Sequence, residues 1–103
     1  MKPTLFDAKH VLEKVTLVFP FARELTTGVT VVSVLITATT KRGTDPAPAN
    51  VLLGVPSIQP GGEVLQRVQG GVAGAAYLLL AAATLSNGNV LVRAGELPVI
   101  DFI

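Results

Sequence analysis

The chain contains no cysteine and no tryptophan, and only one histidine and one tyrosine. Without cysteine there is no disulfide framework, no thiolate-held zinc or iron–sulfur cluster and no thiol nucleophile. Charge is scarce as well: charged residues make up 15% of the chain, against about a quarter in ordinary soluble domains, while apolar residues make up 50%. So little charge leaves a surface suited to facing partners. The net charge is +1 and the single adjacent basic pair is Lys41-Arg42, so the clustered basic footprint that nucleic-acid binding requires is missing. At 103 residues the chain is expected to form one domain, residues 1–103, with residues 1–12 set apart as an N-terminal arm. Asp7, Lys9 and His10 fall where a secretory signal would need its apolar core, so export by that route is not expected.

The same scarcity argues against catalysis. His10 stands beside Lys9 and reads as a solvated residue, and the carboxylates Asp7, Glu13, Glu24, Asp45, Glu63, Glu96 and Asp101 are scattered, mostly at strand ends and turns. No metal site or paired-acid site is therefore expected. A serine triad would have to combine His10 with Ser33, Ser57 or Ser86, and none of these serines lies in a G-x-S-x-G elbow. The chain is read as a non-enzyme without cofactor.

What the chain does have is the stretch GGVAGAAYLLLAAATLSNGNVLV, Gly70 to Val92. Its apolar run from Val72 to Leu85 is fourteen residues, short of the roughly 20 that a spanning helix needs. Gly74 is followed by Ala75-Ala76 and not by Lys-Ser/Thr, and Gly70-Gly71-Val72-Ala73-Gly74 does not fit G-x-G-x-x-G, so it is no phosphate loop. A buried helix is the serious rival, because alanine and leucine favour it. Against the helix, the run ends at Ser86-Asn87-Gly88-Asn89 and Val90-Leu91-Val92 follows. Asn87-Gly88 is a hairpin signal, so strand–turn–strand is preferred.

Other strands follow from alternation and β-branched content: Glu13–Phe21, Val29–Thr40, Val51–Ile58 interrupted by Gly54 and Pro56, and Glu63–Gln69, with a short element near Leu5-Phe6. Lys41–Asn50 reads as an exposed loop, and Gly95-Glu96-Leu97-Pro98 as a break before a last strand from Val99. The expectation is an all-β fold, an immunoglobulin-like antiparallel β-sandwich of about seven strands. In it Gly70, Gly71 and Gly74 turn the chain with positive φ, and Tyr77 either caps the neighbouring loop with its hydroxyl or fills the core with that hydroxyl at the rim. Two strands look apolar on both faces, whereas a two-layer sandwich should leave one face of each sheet polar. Val32, Val34, Ile36, Leu78 and Leu80 are therefore candidate interface residues, covered by a neighbouring subunit.

The succession VTLVFPFARELTTGVTVVSV, a Gly/Asp/Pro loop, and LQRVQGGVAGAAYLLLAAATLSNGNVLV resembles the small immunoglobulin-like virion proteins of tailed bacteriophages, of the fiber-tail adaptor type. The likeness runs over about residues 13–100 and is sharpest at Gly70-Gly71, Gly74, Tyr77 and the Thr84–Gly88 turn. Family members commonly carry an aspartate and a tryptophan where this chain has Phe19-Pro20-Phe21. The resemblance implies a virion protein assembled in the host cytoplasm. It would form a symmetric homo-oligomer, contact other virion proteins of tail, fiber, portal or capsid, and bind neither nucleic acid nor membrane. A capsid decoration or cement role would use the same sheet. A carbohydrate-binding sandwich is the remaining reading, and it calls for exposed aromatics where the chain has only Tyr77 and four phenylalanines.

Overall fold

The computed structural model describes residues 4–102. Its strands are β1 (Thr4–Leu5), β2 (Lys9–His10), β3 (Val15–Pro20), β4 (Val31–Arg42), β5 (Leu52–Ile58), β6 (Glu63–Val68), β7 (Ala76–Leu85) and β8 (Val90–Ile100), with 3-10 turns at Ala22–Glu24 and Pro48–Val51. One layer runs β8-β7-β4, with β1 and β2 added in parallel along the outer edge of β8; the other runs β3-β6-β5. The layers are otherwise antiparallel, and the chain passes between them at residues 11–14, 21–30, 43–51 and 69–75. This is the immunoglobulin-like sandwich. No helix among the described residues is long and apolar enough to cross a membrane.

The alanine-leucine run is extended. Tyr77, Leu79, Ala81, Ala83 and Leu85 are buried while Leu78, Ala82 and Thr84 are half-buried and Leu80 exposed, the period of two that a strand imposes. Helical propensity gives way because the segment has a ladder on each side, β4 on one and β8 on the other. Facing it across the core lie Leu17 and Phe19 on β3, Phe21 just after it, and Val64 and Val68 on β6. Gln66, on the same inward face of β6, is 1% exposed. Its amide donates to the carbonyls of Arg67 at 2.8 Å and Gly54 at 3.2 Å. The Gly54 carbonyl is free to accept because β5 slips register between Leu53 and Ser57, where Gly54 and Pro56 disturb the ladder.

Asn87-Gly88 does turn the chain, by a different geometry from the two-residue type that Asn-Gly usually signals. The Gly88 N–H donates to Leu85 O at 2.9 Å and the Leu85 N–H to Asn89 O at 2.8 Å. Only Gly88 takes positive φ, at 90°, so Ser86 and Asn87 form an ordinary turn closed by a glycine bulge. Asn87 contributes its side chain, whose Oδ1 accepts the Asn89 N–H at 3.0 Å.

The expected break at Gly95–Pro98 does not occur, and β8 continues through both residues to Ile100. Val99 donates its N–H to Ala75 O while Phe6 and Val11 donate to Glu96 O and Ile100 O, so Pro98 has its nitrogen on the β1–β2 side of β8. There β1 has ended at Leu5 and β2 has not begun, so no ladder bond is lost. Gly95 serves close approach: a Cβ there would collide with the Phe6 ring, which meets Phe19 edge-on at 5.5 Å. Through these contacts residues 4–10, within the segment 1–12 set apart as an arm, lie along β8.

Gly95→Ala is therefore expected to cost about 1–3 kcal/mol by overpacking against Phe6. In hydrogen exchange it should lower protection at the Phe6 amide, which bonds Glu96, while leaving the Val99 amide, which bonds Ala75, protected.

Candidate functional site: the outer face of the larger sheet

Which residues of β4 and β7 face outward is decided by two features of the backbone. A bulge at Val32 separates the pairs Val31–Leu85 and Ser33–Thr84, and the register beyond it sets Val34 against Ala83, Ile36 against Ala81 and Ala38 against Leu79. Val34 and Ile36 consequently point their side chains into the core, Ile36 at 7% exposure, and not onto the outer face as the alternation alone suggested. Val32, in the bulge, is 60% exposed. Leu78 and Leu80 do face outward as expected.

The register completes that outward face with residues absent from the sequence-based set. Leu35, Ala82 and Val92 stand in one cross-strand row, Thr37, Leu80 and Ala94 in the next, and Ser33, Thr84 and Val90 in a third. Leu35, Val90 and Val92 are 67%, 58% and 47% exposed. The row of Thr39, Leu78 and Glu96 closes this surface on one side, where Lys41 Nζ meets Glu96 Oε1 at 2.7 Å. The outer face is thus an apolar patch with one ion pair at its rim, of the kind monomeric proteins seldom leave uncovered.

Behind the sheet, the glycine–tyrosine motif forms a corner. Tyr77 is fully buried at the start of β7, and its hydroxyl accepts the Val72 N–H at 2.8 Å and donates to Asp45 Oδ2 at 2.7 Å. Oδ1 of Asp45 accepts the Ala47 N–H at 2.9 Å. Gly70, Gly71 and Gly74 all take positive φ. At Gly71 there is a second requirement, since a Cβ would lie 2.9 Å from Val99 Cγ2 and 3.2 Å from Tyr77 Cε2. Asp45, read from sequence as one of the solvated acids, is half-buried. The Tyr77 hydroxyl and then the Ala47 N–H hold its carboxyl below the usual range, while burial and then the Asp45 carboxylate push the Tyr77 phenol up.

Lys9, His10 and Arg93 also make contacts that the sequence alone did not indicate. Lys9 is 1% exposed, its Nζ donating to His10 O at 2.6 Å, and burial lowers its pKa against the opposing pull of Glu13. His10 itself is half-buried and shapes a turn, Nδ1 accepting the Leu12 N–H at 3.1 Å while its own N–H donates to Glu13 Oε1. Arg93 lies on the inward side of β8 with its guanidinium 5.7 Å from the centre of the Phe21 ring. No group of three or more His, Asp or Glu is gathered among the described residues. Phe102 is the exposed aromatic among them; Phe19, Phe21 and Tyr77 are buried.

No family model, no curated protein and no solved structure matches the chain.

The corner predicts a pH signature. Asp45 has a depressed native pKa, so its contribution is present above the ordinary carboxylate range near 4 and is lost as pH falls through the lowered value; Tyr77 has a raised one, so its contribution is present below about 10 and is lost as pH climbs through the raised value. Tyr77→Phe should cost about 1–3 kcal/mol at neutral pH and remove the alkaline loss that Tyr77 causes, while Asp45→Asn should flatten the acid loss. Urea unfolding across pH, with each variant subtracted from the parent chain, reads both effects.

Proposed function

We propose that this chain is a non-enzymatic structural protein of a tailed-bacteriophage virion, assembling as a symmetric homo-oligomer and joining fibers to the tail or head–tail region. The observation that carries the reading is the outer face of the larger sheet, where Leu35, Leu80, Ala82, Val90 and Val92 form adjoining rows open to solvent. Burying such a face against neighbouring copies and other virion proteins is work done by surface and not by reaction, in keeping with a chain so poor in groups for chemistry. The resemblance around Gly70-Gly71, Gly74 and Tyr77 supplies the virion context, and the sandwich with its tyrosine corner agrees with it. A sugar-binding reading gains little from the structure, because Phe19, Phe21 and Tyr77 are turned inward.

The chain is expected in gradient-purified tailed phage particles from the host that carries its coding sequence, at a fixed copy number, with immunogold label at the tail or the head–tail junction. Label over the head shell would assign the decoration role instead, and absence from the particles would refute the reading. Leu80→Glu with Val92→Glu, both at exposed positions, should leave the melting temperature within a few degrees while reducing incorporation at least about tenfold, a loss of roughly 1.4 kcal/mol.

A further inference from the structure

Among the described residues the larger sheet ends in one long open edge. On the far side β8 is covered by β1 and β2, each two residues long. In the smaller sheet β3 ends in Pro20, and β5 is broken by Pro56 and a register slip. By contrast β4 spans 12 residues, and from Val31 to Thr40 it contains neither charge nor proline, the two devices that usually blunt such an edge.

The ladder shows which of its backbone groups are free. Leu85 directs its N–H to Asn89 O, toward β8, so the alternate residues Thr84, Ala82, Leu80 and Leu78 bond β4 through Ser33, Leu35, Thr37 and Thr39. The N–H and C=O of Val34, Ile36, Ala38 and Thr40 then point away from β7, to the open edge. This set is self-complementary. When two β4 strands run antiparallel about a two-fold axis at Thr37, Ile36 lies opposite Ala38 of the second copy and Val34 opposite its Thr40, so every one of these groups finds a partner. An axis at Leu35 or Ile36 would leave some of them unpaired.

We propose that two copies of this chain pair β4 to β4 across such an axis, joining their larger sheets into one. The inference deepens the self-assembly part of the function proposed above and names the edge that carries it. Because β1 and β2 shield the opposite edge, the pairing closes as a dimer and does not propagate into a filament. It also brings the two outer apolar faces into one continuous surface, with Thr37 facing Thr37 and each Leu35 facing a Thr39.

Since the chain has no cysteine, single-cysteine variants report the register directly. Thr37 pairs with its own copy at a non-hydrogen-bonded position, where Cα atoms are about 4.5 Å apart, within disulfide reach. Thr37→Cys is expected to oxidise to a covalent dimer far faster than Leu35→Cys or Thr39→Cys alone, and a mixture of the last two should cross-link to each other. Thr37→Lys and Thr37→Glu, at an exposed position that leaves the fold intact by circular dichroism, should each weaken the dimer at least about tenfold, and mixing the two should restore it. A parent chain that stays monomeric at about 100 μM, a dimer indifferent to Thr37→Lys, or preferential self-linking through Leu35→Cys would overturn the proposal. A Thr37-linked dimer that never appears in phage particles would refute the virion reading alone, and a virion protein without this dimer would refute the edge pairing alone.

Discussion

The chain's one phenol ties together two of the passages between the layers. Residues 43–51 carry the chain from β4 down to β5, and residues 69–75 carry it from β6 back up to β7. Asp45 lies in the first passage and Val72 in the second, and the Tyr77 hydroxyl bonds both. A hydroxyl buried without partners would cost about 1–3 kcal/mol, so once the ring enters the core the two loops must come to it. That single point ties the loop before β5 to the loop before β7. Gly71 has to be small and left-handed for the same reason, since the ring and Val99 occupy the space its side chain would fill.

With the corner in place, β7 becomes the central strand of the larger sheet, and its odd residues are committed to the core. The even residues from Leu78 to Thr84 are then committed outward, and all but Thr84 are leucine or alanine. An apolar outer face therefore follows from the composition of β7 together with the corner that orients it. The alternative, polar residues at Leu78, Leu80 and Ala82, would have been as compatible with the fold. The leucines there are therefore not required by the sheet itself.

The layer architecture was legible because its signals are local. Alternation marked β3, β-branched residues marked β4, and Asn87-Gly88 announced the hairpin even though the turn proved to be of the bulged kind. Tyr77 and its glycines were legible for a similar reason, since a glycine loop leading into a tyrosine at a strand start is a compact pattern. The partners of the hydroxyl were not, because Asp45 lies 32 residues away and nothing near it distinguishes it from a solvated acid. The continuity of β8 through Gly95 and Pro98 was hidden in the same way. Both residues break strands in general, and here each is excused by a segment at the far end of the chain, Phe6 for the glycine and the gap between β1 and β2 for the proline.

Which residues face outward was half legible, and the reason lies in register. Alternation within one strand sorts its residues into two sets but does not say which set of β4 shares a face with which set of β7. That depends on an offset between strands, here one that sets Val34 against Ala83, and on a bulge at Val32 that shifts the residues before it relative to those after. With β4 apolar on both sides, hydrophobicity could not decide, and Val34 and Ile36 were grouped with Leu78 and Leu80 when they belong to the opposite face. The same offset that buries Ile36 exposes Leu35 and aligns it with Ala82 and Val92. It also turns the backbone of Ile36 to the open edge, so one residue can fill the core with its side chain and offer its peptide groups to a second copy. In the pairing proposed above, the same stretch of β4 packs the core with its side chains and meets the second copy with its main chain, so substitutions at the outward threonines would address the second without disturbing the first.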